Sequence, residues 1–236
     1  MLNPVFRLIL DPPRTAFENM AIDEMLMTAQ EDIQTPPTLR IYSWSDACCY
    51  SIGYFQNVQQ VVKKFKCREK NIPVVRRITG GGMVTHGADL TFSLALKNPN
   101  AFLAGDVKGS YLKINDALRL GLREVYPQLD FADCKTVPSG RPQGDRVCFE
   151  RPSCYDLLLE GRKVVGASQR RLGGVMLHQS SMVFKDSHLL VPYLVSGFEK
   201  KWTARFIERP LGAEELASAA RVQRERYGSP EWAYPV

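Results

Sequence analysis

The sequence predicts an α+β fold built on a mixed, mainly antiparallel sheet flanked by helices. Three observations carry that reading. Segments with strand alternation are interleaved with segments of helical spacing, but without the regular strand–helix–strand rhythm of a parallel sheet. Glu160-Gly161 and Gly173-Gly174 sit between strand-like segments, as tight turns between antiparallel neighbours do. The 236 residues, 44% hydrophobic and 24% charged, have ordinary globular usage and suffice for one sizeable core, so a single domain over residues 1–236 is expected.

The elements follow in chain order. Residues 4–10 read as a strand that Pro12-Pro13 ends. Thr15 and Glu18 then make a capping box, each able to satisfy an otherwise unpaired N–H of a helix start. Phe17, Ala21, Met25 and Ala29 recur every fourth residue, which predicts about four helical turns burying that stripe before Pro36-Pro37. Leu39, Ile41 and Ser43 alternate with Arg40, Tyr42 and Trp44 as a strand does. Residues 50–55 read as a strand or tight loop around Gly53, and 58–70 as a mixed helical segment. A strand over 73–79 runs into Gly80-Gly81-Gly82, and 90–97 is an apolar strand. Tyr111, Ile114, Leu118, Leu122 and Val125 mark a helix that Pro127 stops. Residues 134–148, rich in Pro, Gly and charge, read as a loop. Tyr155, Leu157 and Leu159 alternate, 163–167 returns as their hairpin partner, and 175–183 is the next strand. Residues 213–227 are helical, with acids early and arginines late, as the helix dipole favours.

The formal charge of +6 fits an acidic protein partner or an anionic substrate. Lys/Arg residues occur in doublets rather than blocks, and no nucleic-acid-binding motif is present. No apolar run approaches the ~20 residues that cross a bilayer. The N-terminal stretch lacks a basic lead and a small-residue cleavage site, so no signal peptide and a cytoplasmic location are expected. Six cysteines, none in a C-x-x-C pair, speak against zinc-ribbon and thioredoxin chemistry, and no metal is expected. In such a compartment most of them should be reduced and buried, Cys154 as a small core residue.

Two segments concentrate residue types that carry chemistry. The first is RRITGGGMVTHG, residues 76–87. Three consecutive glycines after a strand let the backbone approach a ligand and can form an anion-binding concavity. Arg76 and Arg77 can fork onto a carboxylate or phosphate, with strand parity favouring Arg77, and His86 follows shortly after. The segment is neither a P-loop nor a Rossmann fingerprint, and a plain glycine hairpin with exposed arginines is its bland reading. The second is CFERPSCYDLLLEGRKVVGASQRR, residues 148–171. Cys148 lies at the end of a loop between Arg146 and Arg151, where nearby cations can favour a thiolate. Lys163 opens an apolar strand, from which it can enter a partly dry pocket and hold an anion or carbonyl oxygen. Gly166 lets a ligand lie against that strand. His178 and Gln179 follow on the next strand, with sheet polar groups as their bland reading.

These segments resemble the biotin/lipoate ligase superfamily, in its lipoate-attachment branch. ENMAIDEML (residues 18–26), LRIYSWSDACCYSIGYFQ (39–56), RRITGGGMVTHGADLTFSL (76–94) and GRKVVGASQRR (161–171) resemble that family's blocks in order, and RYGSPEW resembles its end. The resemblance implies a class II synthetase-like catalytic domain. In it Arg77, Thr79, Gly80, Gly81, Gly82 and His86 would shape an acyl site, and Lys163 would contact the acyl carbonyl. A biotin ligase is not favoured, since G-R-G-R-x-x-R is absent.

CFERPSCYD further resembles the C-F-x-x-P-x-x-Y-[DE] segment of cysteine-dependent octanoyltransferases of the Gram-positive type. That implies octanoyl or lipoyl transfer from an acyl carrier protein thioester, through a Cys148 acyl-enzyme, to a lysine of a lipoyl-carrier domain. The carrier would be a glycine cleavage H protein or a 2-oxoacid dehydrogenase E2. No cofactor is expected. The alternative is an ATP-dependent lipoate–protein ligase working through lipoyl-adenylate. In it Arg76, Arg77 and the glycine turn would hold the phosphate, Mg²⁺ would assist, and Cys148 would be incidental.

Overall fold

The structure is a computed structural model that describes residues 3–98, 102–103, 105–135, 149 and 152–233. Cys148 and nearly all of the 134–148 segment lie outside the described residues. The elements are β1 (Val5–Leu10), α1 (Ala16–Ala29), β2 (Thr38–Tyr42), β3 (Cys49–Ile52), α2 (Val58–Lys64), β4 (Val74–Arg76), β5 (Val84–His86) and β6 (Leu90–Lys97). There follow α3 (Val107–Leu122), β7 (Asp130–Phe131), β8 (Leu157–Leu159), β9 (Arg162–Leu172), β10 (Val175–Met182), α4 (Val191–Trp202), β11 (Arg205–Glu208), α5 (Ala213–Val222) and α6 (Pro230–Ala233). A 3-10 turn, Ser187–Leu190, precedes α4, and a π-helical turn, Gln223–Tyr227, ends α5.

Two sheets result. The larger has the order β11-β1-β2-β6-β10-β9-β8-β7 and the smaller the order β4-β3-β5. β1 runs parallel to both β11 and β2, and β3 parallel to β4, while the remaining pairs are antiparallel. Side chains alternate across the large sheet, as strand geometry requires. Phe6, Leu94 and Met176 face one apolar layer with Ile114 and Leu118 of α3 and Leu194 and Phe198 of α4. Ile9, Ala95 and Leu177 face the other, with α1 and Ala219 of α5.

Helix α1 starts as its capping box dictates: the Thr15 hydroxyl accepts the Glu18 N–H and the Glu18 carboxylate accepts the Thr15 N–H. It is buried more widely than its four-residue stripe, because α5 and the π-helical turn cover the side turned from the sheet. Asn19 and Asp23 lie on its sheet side, buried with no exposed surface and bonded to Arg40 and Tyr42. Several boundaries also differ. The helix expected over 58–70 ends at Lys64, and the strand expected over 73–79 keeps ladder pairing only through Arg76. Strand β9 runs on to Leu172, because β10 supplies a partner along its whole length.

One cysteine expectation is corrected. Cys154 is half-buried and disulfide-bonded to the exposed Cys134, while Cys48, Cys49 and Cys67 are free. The chain brings residue 134, just past β7, beside residue 154, just before β8, because those two strands pair antiparallel.

Candidate active site

The small sheet folds against the centre of the large one, and α1 covers the seam. A cavity is left between them. Met20 from α1, Trp44, Val84, Arg77 and the Gly166–Ala167 stretch of β9 line it. They come from separate stretches of the chain in both sheets and α1, so the cavity exists only when both sheets are assembled.

The glycine turn is held from beneath by arginine. Arg77 Nη1 donates to the Ser51 carbonyl at 2.9 Å, and Nη2 donates to the carbonyls of Gly80 and Gly82, each at 2.7 Å. Gly81 has a positive φ of 91°, and an added Cβ at neighbouring Gly53 would meet the Gly81 carbonyl oxygen at 2.0 Å. Only glycine allows so close an approach of two backbone turns. Arg76 is turned away from the cavity. Its Nη1 donates to the carbonyls of Tyr54 and Gln56 at 2.7 and 2.8 Å, and its Nε donates to the Trp232 carbonyl at 3.1 Å. Trp232 returns the contact, its indole N–H donating to the Arg76 carbonyl at 2.8 Å. Both arginine forks thus grip main-chain carbonyls, and of the pair only Arg77 lines the cavity.

A chain of buried polar groups crosses the cavity floor. Ser168 Oγ donates to Thr79 Oγ1 at 2.8 Å, and Thr79 donates to Gln179 Oε1 at 2.7 Å. Gln179 Nε2 donates to Asp23 Oδ2 at 2.7 Å. Asp23 also accepts from Tyr42 Oη, Ser93 Oγ and Arg40 Nη1. Burial, then the Asp23 charge, pushes the Tyr42 phenol well above its ordinary range, which keeps it a donor. Thr79 therefore stands one bond behind the cavity wall, and Gln179 is part of that wall.

On another side, Ser51 Oγ lies 2.7 Å from His86 Nε2, and His86 Nδ1 lies 2.8 Å from Asp89 Oδ2. The Trp44 ring stacks on the imidazole at 3.8 Å. Asp89 also accepts from Thr91 and Ser181. Burial pushes its carboxyl up, but His86 and these hydroxyls hold it net below the usual carboxylate range.

Lys163 lies on β9, three residues before Gly166. Its side chain is 5% exposed, and Nζ meets Asp156 Oδ2 at 2.7 Å. Burial raises the Asp156 carboxyl even against the pull of this cation. Nζ also lies 5.8 Å from the centre of the Phe149 ring. Lys163 thus enters a dry setting rather than a surface hairpin.

Residues 15–216 match the lipoyl protein ligase A/B catalytic domain family. The chain belongs to that family. Two similar proteins are octanoyltransferases LipM. That of Moorella thermoacetica is 34% identical over 209 residues, covering 85% of this chain and 74% of the relative. That of Carboxydothermus hydrogenoformans is 31% identical over 259 residues, covering 92% and 94%. Among solved structures, a lipoate-protein ligase A bound with ATP superposes with a TM-score of 0.78 at 21% identity over 98% of both chains. A putative lipoate protein ligase from T. acidophilum with bound lipoic acid gives 0.78 at 21% over 100% of both. The fold is that of the lipoate–protein ligases, as the sequence resemblance implied.

Within this family fold, the expected site residues fall into three groups. Arg77, His86 and Gly166 line the cavity; Thr79 and the three glycines back it; Arg76 braces the turn from outside. Lys163 stands farther along β9 beside Asp156. Sequence reasoning missed Ser51, Asp89 and Asp23, read Gln179 only as a sheet polar group, and held Asp156 only as one acid of a motif. The available signal was a polar residue interrupting an apolar run: Asp23 within α1, or Asp89 and Asp156 at the head of an apolar strand.

Proposed function

We propose that this protein is an octanoyltransferase of protein lipoylation, working as a single domain through a thioester at Cys148. The Cys148 thiolate attacks the carbonyl of an octanoyl–acyl carrier protein thioester. The new C–S bond forms with a tetrahedral oxyanion, which collapses as the old C–S bond breaks and the carrier leaves as its own thiolate. The neutral amine of a lysine on a lipoyl-carrier domain then attacks the acyl-enzyme. An amide forms, the Cys148 thiolate is released, and the amine proton passes to solvent. Activation already resides in the thioester, so the reaction needs no ATP and no metal. Lys163, held in place by Asp156, stabilises the developing oxyanion in each addition. The apolar part of the cavity, with Met20, Val84 and Trp44, takes the eight-carbon chain.

The observation that carries this reading is the Lys163–Asp156 pair. It is a buried amine–carboxylate pair beside the ring of Phe149, the residue that follows Cys148 in sequence. The octanoyltransferase relatives support the same chemistry. The ligase alternative asks Arg76 and Arg77 to meet a phosphate, whereas both forks grip carbonyls.

Intact-protein mass spectrometry tests the proposal. Octanoyl–acyl carrier protein without ATP should leave a hydroxylamine-sensitive octanoyl adduct that the Cys148→Ala protein lacks. A lipoyl domain modified only with free octanoate or lipoate, ATP and Mg²⁺ would make the chain a ligase instead.

A further inference from the structure

The segment 153–156 is restrained far beyond what a surface connection between two short strands requires. The Asp156 N–H donates to the Ser153 carbonyl at 3.0 Å, and the Ser153 N–H donates back to Asp156 Oδ2 at 2.6 Å. The Asp156 carbonyl accepts the Ala132 N–H from beside β7 at 2.8 Å. Asn115, buried on α3, donates its amide to the Tyr155 carbonyl at 2.8 Å. Tyr155 holds a positive φ of 70°, a left-handed conformation that a bulky side chain adopts only when its surroundings impose it. Cys154 is tied to Cys134.

All of these restraints converge on one outcome, the placement of the Asp156 carboxylate. Its second partner is Lys163 Nζ at 2.7 Å, with both side chains nearly buried. The lysine side is prepared as well. Leu157 pairs with Val165 and Leu158 with Lys163, so an extra residue, Val164, bulges β9 next to the lysine. Bulges re-aim side chains. A buried ion pair is weak evidence for stability as such, so five separate restraints on its acid partner call for another reason.

We infer that Asp156 is a positioning residue that fixes the Lys163 ammonium for acyl transfer, and that the Cys134–Cys154 disulfide anchors the turn presenting it. The inference rests on the octanoyltransferase reading for its consequence in catalysis, and on geometry alone for its effect on Lys163. Asp156→Asn keeps the size and the Ser153 hydrogen bond but removes the charge. Asp156→Glu restores the charge at a longer reach. The paired Cys134→Ser and Cys154→Ser change releases the anchor and leaves the carboxylate.

Two measurements on the full chain decide it. The first is the single-turnover rate of octanoyl adduct formation with octanoyl–acyl carrier protein, alongside thermal unfolding. Asp156→Asn should slow acylation by about 100-fold, a size typical of lost charge stabilisation, at a temperature where its melting curve shows the variant still folded despite the cost of losing the buried charge partner. Asp156→Glu should recover at least about a tenth of the parental rate, and the double serine protein should lose several-fold. An unchanged rate in Asp156→Asn, or losses that track melting with no rescue by Glu, would overturn the inference.

The second measurement is the ¹⁵Nζ–¹H correlation of Lys163, assigned with Lys163→Arg. It should be visible in the parent, where the ammonium is held out of water, and lost or displaced in Asp156→Asn. An identical signal in both proteins would sink the positioning role. If the parent takes no octanoyl group at all, the octanoyltransferase reading fails, while this spectrum still decides whether Asp156 holds Lys163.

Discussion

Asp23 on α1 and Gln179 on β10 are joined by a 2.7 Å hydrogen bond beneath the cavity, across 156 residues of sequence. The bond fixes which way the Gln179 amide points. A carboxylate must receive the NH₂ end, so the carbonyl end is left to accept from Thr79. One buried acid on a helix thereby orients the threonine that precedes the glycine turn.

Gln179→Glu replaces the donor facing Asp23 with a second carboxylate. Two buried acids at that distance cannot both ionise at low cost, and the variant should lose about 3 kcal/mol of stability at pH 8. Protonation of the pair at pH 5 should restore part of that loss. Urea unfolding at the two pH values measures the difference; equal losses at both would show that charge is not the cause.

Gly53→Ala forces a Cβ onto the Gly81 carbonyl, 2.0 Å away in the parent backbone. The two turns must part, at a cost of about 1–3 kcal/mol typical of overpacking. Because Arg77 holds the glycine turn through Gly80 and Gly82, acyl transfer should fall more steeply than stability. Comparison of the acylation rate with the urea midpoint checks this.

His178 sets an acid limit on the fold. Burial lowers its pKa to about 3. Its Nδ1 lies 3.0 Å from Gln169 Nε2, and Nε2 has no hydrogen-bond partner among the described residues. The unfolded chain takes up a proton near pH 6.5, while the folded chain resists it. Stability is therefore full above about pH 6.5 and declines as pH falls toward 3, by at most about 1.4 kcal/mol per pH unit from this group. A His178→Asn protein should show a shallower decline in urea melts between pH 7 and 4.5.

Reduction of the Cys134–Cys154 bridge, which spans a sequence separation of 20, should cost about 3 kcal/mol in the loop-entropy account. A phosphine reductant should lower the urea midpoint of the parent and leave a Cys134→Ser, Cys154→Ser protein unmoved. No response in the parent would mean that the bridge adds nothing to stability.

What was legible in the sequence follows the range of the forces involved. The α1 start was readable because Thr15 and Glu18 are three residues apart and satisfy each other. Strand β6 was readable as a long apolar run, and β10 from the Gly173-Gly174 turn that precedes it. Strand β11 was not, since Arg205–Glu208 is a strand only by lying beside β1, two hundred residues away. The same holds for the site. The glycines and arginines of residues 76–82 announced themselves as a cluster, but their roles did not. Strand parity favoured Arg77, which lines the cavity, but nothing local shows that Arg76 grips Trp232, 156 residues away. Asp156 was visible only as one acid in a motif, because its partner Lys163 meets it through a bulge that the pattern of residues does not reveal.

The reciprocal contact between Arg76 and Trp232 sets a timetable for biosynthesis. A ribosome delivers the glycine turn early, but its outer brace arrives only when residue 232 has left the exit tunnel. Until then the arginine has no indole to close on, and the nascent chain holds an unbraced glycine turn. Translation of the site residues themselves thus does not complete the turn, whose outer brace waits on residue 232.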